Sequence, residues 1–230
     1  MNSTLRNEYL AAMGIRQWVP RDKGLSGEAD TVVNAGSSGN DSTVASLDWP
    51  ALQERVAGCT RCALHAARTQ TVFGTGNRSA DWLVIGEAPG ADEDRQGEPF
   101  VGRAGQLLTE MLRAAGFERD AVYITNILKC RPPNNRDPQP DEVASCHDYL
   151  ERQIDLIEPR LILAVGRIAA HNLLQTDTPV GRLRGRVHHY GAARIPLVVT
   201  YHPAYLLRSP LEKRKSWDDL QLALQITNGQ

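Results

Sequence analysis

Four features of this chain carry residue types suited to chemistry. The stretch GEAPGADEDRQGEPFVG (86–102) joins an apolar run, WLVIG, to a helical pattern. A Gly-rich turn between strand and helix suggests a phosphate cradle. Here, however, the acids Glu87, Asp92, Glu93, Asp94 and Glu98 would repel an anion, and neither GxxxxGK[ST] nor GxGxxG fits. The loop therefore suits a neutral ligand, with Phe100 offering a ring face to a planar one. Asn126 lies late in the apolar run VYITNIL, and an amide facing a pocket there can bond a nucleobase edge at two points. His202, in TYHPAYLLR, ends the last apolar run, where a ring N–H can serve a developing oxyanion. Cys59 and Cys62 form C-x2-C, and Cys130 and Cys146 follow with fifteen residues between them. Four thiolates suit zinc or an iron–sulfur cluster, and spacing alone does not separate the two.

The elements that must position these residues alternate. The runs 82–86, 122–128, 161–166 and 195–202 are short and rich in β-branched residues, with helical spacing over 104–115, 140–157, 167–174 and 210–227. Such alternation predicts a parallel sheet with helices on both faces. Ligands in such sheets bind beyond the C-terminal strand ends, where GEAPG, TNILKC and YHPAYLLR fall. Before this unit, residues 1 to about 20 read as a short amphipathic helix and 22–46 as a Gly/Ser-rich flexible linker, which divides the chain into a 1–46 extension and a 47–230 domain.

The bulk numbers fit. The 230 residues are 41% hydrophobic, enough for one core, and carry a net charge of −1, so nucleic-acid contacts must be local. Segment 182–215 is such a patch: Arg182, Arg184, Arg186, Arg194, Arg208, Lys213, Arg214 and Lys215 face only Glu212. No run is long enough to span a bilayer and no signal peptide is evident, so a cytoplasmic location is expected, and with it thiols rather than disulfides.

Together, GEAPGADEDRQGEPFVGRAGQLL, ITNILKCRPP and TYHPAYLLR, with the four cysteines in this order, closely resemble the type-4 uracil-DNA glycosylases over about residues 47–225. The resemblance implies a three-layer α/β/α sandwich with a central four-stranded parallel sheet, and hydrolysis of the bond joining uracil to deoxyribose. It implies a monomer acting on single- or double-stranded uracil-containing DNA. It assigns stacking on the flipped base to Phe100, reading of its polar edge to Asn126 and stabilisation of the departing anion to His202. Glu93 would refuse thymine's methyl at C5. The backbone of Gly86, Glu87 and Ala88 would contact base and sugar, Leu206 would wedge the duplex, and Arg208 with Arg184 would hold phosphate. Cys59, Cys62, Cys130 and Cys146 would hold a [4Fe–4S] cluster, with zinc as the alternative. The position where other branches of the superfamily carry Asp is Ala88 here, which leaves Glu87 to orient or activate water.

Three rivals make different demands. A glycosylase–lyase would use Lys129 as an amine nucleophile, but strand alternation points Lys129 away from Asn126. A non-hydrolytic uracil-DNA binding protein of the same superfamily would carry a His-containing insertion, and CRPPNNRDPQP has none. An iron–sulfur electron carrier would need neither GEAPG nor HPAYLLR.

Overall fold

The computed structural model describes residues 43–229, which lie in one compact unit. The expected N-terminal helix and most of the linker lie outside the described residues. Ordered backbone begins before residue 47, with a 3-10 turn at Val44–Ser46 and a buried Leu47.

Helix α1 (Trp49–Ala57) is capped by Asp48, whose Oδ1 accepts from the Ala51 N–H at 3.0 Å. The sheet strands are β1 (Thr75–Gly76), β2 (Trp82–Gly86), β3 (Tyr123–Asn126), β4 (Leu161–Val165), β5 (Val187–Tyr190) and β6 (Ile195–Thr200). Between them run α2 (Ala91–Gln96), α3 (Arg103–Ala114), α4 (Pro140–Ile157), α5 (Arg167–Leu174) and α6 (Val180–Leu183); α7 (Pro203–Arg208) and α8 (Lys213–Asn228) follow β6.

The strand order is β1-β3-β2-β4-β6-β5. The four inner strands are parallel, as expected, but two antiparallel edge strands widen the sheet to six. Neither edge strand has the signature of an inner one. β1 is two residues long, and β5 reads VHHY and alternates exposed with half-buried positions, because an edge strand needs only one partner and one covered face.

Period-two alternation divides the inner strands between two cores. Leu83, Ile85, Ile162, Ala164, Leu197 and Val199 face α1, α4 and α5. Trp82, Val84, Leu161, Leu163, Val165 and Val198 face α3 and α8. Helices on both faces make three layers, and the inner strands are buried on both sides, which explains their continuous apolar runs. Trp82 Nε1 donates to Thr227 Oγ1 at 3.3 Å, closing α8 onto the sheet.

β2 and β4 are neighbours, and the chain leaves β2 toward β3 but leaves β4 toward the β6 side, which makes a topological switch point between them. Gly86 lies opposite Asn126 in register. Pairing continues past both strand ends, through Ile127 N–H to Gly86 O at 3.0 Å and Leu128 N–H to Glu87 O at 3.1 Å. Pairing thus outlasts the regular ladder, which ends at Asn126, although the chain bends at Ile127.

Candidate active site

A cavity of about 950 Å3 opens at the C-terminal ends of the inner strands. Glu87, Phe100, Asn126, Arg167, Tyr201 and His202 are among its lining residues.

Asn126 is 2% exposed, and its Oδ1 is buried with no hydrogen-bond partner. A buried amide oxygen left unpaired costs about 1–3 kcal/mol unless a ligand bonds it, so Asn126 is built for a donor that arrives from outside. Gly86 makes the room: a methyl there would collide with Asn126 Oδ1 and Phe100 Cζ.

Phe100 sits at φ +54°, the left-handed region, which is costly for a bulky side chain. The surrounding groups hold it there. Glu93 Oε1 accepts from the N–H groups of Val101 at 2.9 Å and Gly102 at 3.1 Å, and Oε2 accepts from Gly90 N–H at 3.1 Å. Arg119 Nη2 donates to Pro99 O at 2.5 Å. Gly105 has no side chain because the Phe100 carbonyl occupies the space a methyl would fill. The Phe100 ring then stacks against His202, with centroids 5.6 Å apart and planes at 30°.

His202 caps α7. Its Nδ1 accepts from the Ala204 N–H at 3.1 Å, so in the neutral ring the proton is on Nε2. Burial pulls its pKa down to about 4; Arg208 adds to this and Glu93 opposes it. The ring is therefore a neutral Nε2–H donor at pH 7.

A sequence model of the uracil DNA glycosylase superfamily matches residues 73–221. The type-4 uracil-DNA glycosylase of Archaeoglobus fulgidus is 48% identical over 161 residues, covering 67% of this chain and 81% of the relative. That of Pyrobaculum aerophilum is 41% identical over 182 residues, 76% of this chain and 93% of the relative. That of Thermotoga maritima is 45% identical over 160 residues, covering 69% and 82%. The chain belongs to the type-4 uracil-DNA glycosylases. It is accordingly a DNA repair enzyme, a glycosylase that excises uracil.

The acids of the loop are organised differently from the sequence expectation. Asp94 is buried and accepts from the Thr69 N–H at 2.9 Å; Asp92 pairs with Arg95; Glu93 is occupied as above. These three build the glycosylase loop rather than present free acceptors. Glu87, half-buried, lines the cavity, as do Asp92 and Glu93. Burial raises the pKa of Glu87, Asp137 adds to the rise, and Arg167 counters it.

Two expectations for DNA contact need correction. Leu206 is fully buried and cannot be a wedge; the neighbouring Tyr205 and Leu207 are the exposed apolar groups of α7. One residue turns a helix by about 100°, enough to exchange inward and outward positions. Arg184 is 15% exposed and paired with Asp219 at 2.9 Å, its guanidinium also donating to Lys215 O. That charge is spent inside the protein. Arg208 lines the cavity as expected, and so does Arg103, which sequence reasoning missed although it directly follows the loop. Arg136 and Arg167 also line it, paired with Glu142 and Asp137.

Cys59, Cys62, Cys130 and Cys146 are free thiols that line one small cavity, separate from the first. As they stand, no three His, Cys, Asp or Glu side chains among the described residues form a set that could hold a metal ion. Donors are nonetheless aimed at the sulfurs. Arg68 Nη1 donates to Cys130 Sγ at 3.1 Å, Arg61 N–H approaches Cys59 Sγ at 3.5 Å, and the Lys129 backbone N–H bonds Cys146. Burial pushes Cys146 up to about 11 and raises Cys130 against the pull of Arg68. Buried thiols of this kind become thiolates only beside added positive charge, so the donor set fits a cationic metal group. Lys129 is 1% exposed and lines this second cavity, out of reach of a sugar in the first.

Two outcomes follow for the glycosylase site. Glu93→Gln keeps the shape but replaces one acceptor oxygen with an amide NH2, leaving at least one loop N–H unpaired at about 1–3 kcal/mol. Uracil release is expected to fall about 10–100-fold in kcat/KM with no gain of thymine release. Unchanged uracil release with new thymine release would instead make Glu93 a guard of the C5 side. For His202 the folded pKa lies below the unfolded one, so its stabilisation is complete above about pH 6.5 and is lost as pH falls toward 4. Urea unfolding at pH 7 and pH 4.5 should show the wild type losing about 2 kcal/mol more than His202→Gln.

Proposed function

We propose that this chain holds an extrahelical uracil between Phe100, Asn126 and His202 and hydrolyses its N-glycosidic bond. The observation that carries the reading is the buried, unpaired Asn126 Oδ1 in a cavity that also holds a neutral histidine donor and an aromatic wall. Uracil's N3–H would donate to Asn126 Oδ1 and its O4 would accept from Nδ2. A cytosine presents the opposite pattern on that edge, leaving the amide unpaired. Flipping the base costs a few kcal/mol, and stacking on Phe100 returns about 1–3.

The C1′–N1 bond then breaks with its electron pair kept on the base, and the negative charge spreads to O2. His202 Nε2–H donates there, a preorganised contact of the class worth about 2.7–4 kcal/mol. Water adds through its oxygen to C1′, and its proton leaves by way of Glu87 or solvent. Glu87 needs only to orient that water, because the departing anion lowers the demand for a strong base. The backbone of Gly86 and Ala88 lines base and sugar. With Glu93 committed to the loop, thymine is refused by the wall that the loop forms.

On the DNA, Arg208 and Arg103 take phosphates at the cavity mouth, and Leu207 with Tyr205 enters the space the base vacates. That space exists only in a duplex, so single-stranded DNA is also a substrate. The cysteines would hold a [4Fe–4S] cluster. When bound, the cluster cross-links the loops after α1 and β3 to α4.

The purified full-length chain should contain about four irons and four sulfides and release free uracil from both DNA forms. Asn126→Ala and His202→Ala should each lower kcat by about 100-fold or more. A cluster-loaded wild type that binds uracil-DNA without releasing uracil would establish the binding-protein alternative instead. Arg208→Ala and Arg103→Ala should each reduce the slope of log affinity against log salt by about one, whereas Arg184→Ala should lower stability and leave the slope unchanged.

A further inference from the structure

Five large apolar side chains are exposed among the described residues: Val187, Tyr205, Leu207, Leu211 and Trp217. The last four fall within 205–217, where α7 passes through a 3-10 turn (Pro210–Glu212) into α8. Leu211, at the centre of that turn, is 93% exposed. The turn is not loose. Pro210 leads it, the Ser209 N–H donates to Tyr205 O at 2.9 Å, and the Glu212 N–H donates to Ser209 O at 3.0 Å. Just beyond it, Lys215 O accepts from Arg184, whose guanidinium is fixed by the fully buried Asp219. A leucine held in water on a fixed turn gains no burial in the free protein, and four such groups close together mark a surface that another molecule covers.

The surrounding charge identifies the cover. Segment 205–217 has four basic residues, Arg208, Lys213, Arg214 and Lys215, against one acid, Glu212. Lys215 pairs with Glu212 at 2.8 Å, whereas Arg208, Lys213 and Arg214 are exposed and make no ion pair among the described residues. Lys213 and Arg214 open α8, where the helix dipole disfavours cations, so the anion they suit lies outside the protein. Tyr205 and Arg208 line the first cavity, which places the start of this segment at its mouth.

We propose that Leu211 is a second wedge, which enters the duplex at a base step beside the uracil while Lys213 and Arg214 hold the phosphates of that step. The inference rests on the reading of the first cavity as the uracil site. An apolar side chain flanked by unpaired cations is the combination that unstacks a step and kinks a duplex. Tyr205 and Leu207 take the space the base vacates; Leu211 stands on a separate turn past the end of α7 and meets a different step. Opening that step lowers the cost of extruding the base next to it. The effect belongs to duplex DNA, because a single strand has no paired stack to open.

The test uses the full-length metal-loaded chain with Leu211→Ala and Leu211→Phe, both outside the core. The kcat/KM for uracil release is read on single-stranded DNA, on a fully paired duplex, and on a duplex with a mismatch beside the uracil. Leu211→Ala is expected to lose about tenfold on the paired duplex and to stay within about twofold on the single strand. On the mismatched duplex, where the step is already loosened, most of the loss should disappear. Leu211→Phe keeps an apolar wedge and should stay within about twofold on all three. In stopped flow, before uracil is released, 2-aminopurine on one side of the uracil should brighten with the wild type and not with Leu211→Ala. Wild-type kcat/KM of Leu211→Ala on the paired duplex, an equal loss on both DNA forms, or no brightening by the wild type on either side would each overturn the proposal. So would a changed oligomeric state in Leu211→Ala without loss on the duplex, which would make the segment a protein contact. A wild type that releases no uracil from either DNA form would overturn the underlying reading, whereas wild-type release beside an unaffected Leu211→Ala would overturn this proposal alone.

Discussion

The site depends on one carboxylate. Glu93 accepts three backbone N–H groups, from Gly90, Val101 and Gly102, and so closes the segment between β2 and α3 on itself. A loop with this many turns exposes backbone donors that neither sheet nor helix can satisfy. Gathering them on one side chain lets the backbone pass through a left-handed Phe100, a conformation worth about 1–3 kcal/mol of strain. The strain is useful because it presents the ring to the cavity. The same closure keeps Gly90 and Gly102 at the ends of α2 and α3, so both helices start from one anchored point.

How far the sequence spoke depended on whether a residue's partners were local. The inner strands were legible because burial on both faces leaves uninterrupted apolar runs. Asn126 and His202 were legible because a polar residue ending such a run has few bland explanations once several converge. The partners of the loop acids were not legible: composition says that Asp92, Glu93 and Asp94 are negative, but not that they pair with Arg95 and with backbone N–H groups. Leu206 and Leu207 differ by one helical step, and adjacent leucines carry no phase. Arg184 looked like any other arginine of its basic segment because its partner, Asp219, lies 35 residues on. The edge strands were missed because one neighbour and one covered face impose almost no pattern.

β3 ties the two centres together. Within five residues the chain passes from Asn126, at the first cavity, to Cys130 at the second, which Lys129 also lines. A short segment serving two sites must be held rigidly, or motion at one becomes error at the other. Pairing of Ile127 and Leu128 with Gly86 and Glu87 provides part of that rigidity, and it also couples β3 directly to the loop that carries Phe100. The Phe100 ring and the Asn126 amide are therefore set by the same few backbone hydrogen bonds.

The protonation state of His202 follows from this enclosure. An imidazolium would attract the departing uracil anion more strongly than a neutral ring, but it would have to survive in a buried position beside Arg208 before any anion exists. Desolvation makes that unfavourable, and the Ala204 N–H pointing at Nδ1 removes one site where a second proton could sit. What remains is a donor of fixed tautomer and direction that needs no proton uptake and little rearrangement as charge develops. Positive charge stays at the rim, on arginines that DNA phosphates can neutralise. On the proposed mechanism the site would separate two tasks by depth: charge at the mouth would draw in the polyanion, and an oriented dipole at the base would stabilise the charge that bond breaking creates.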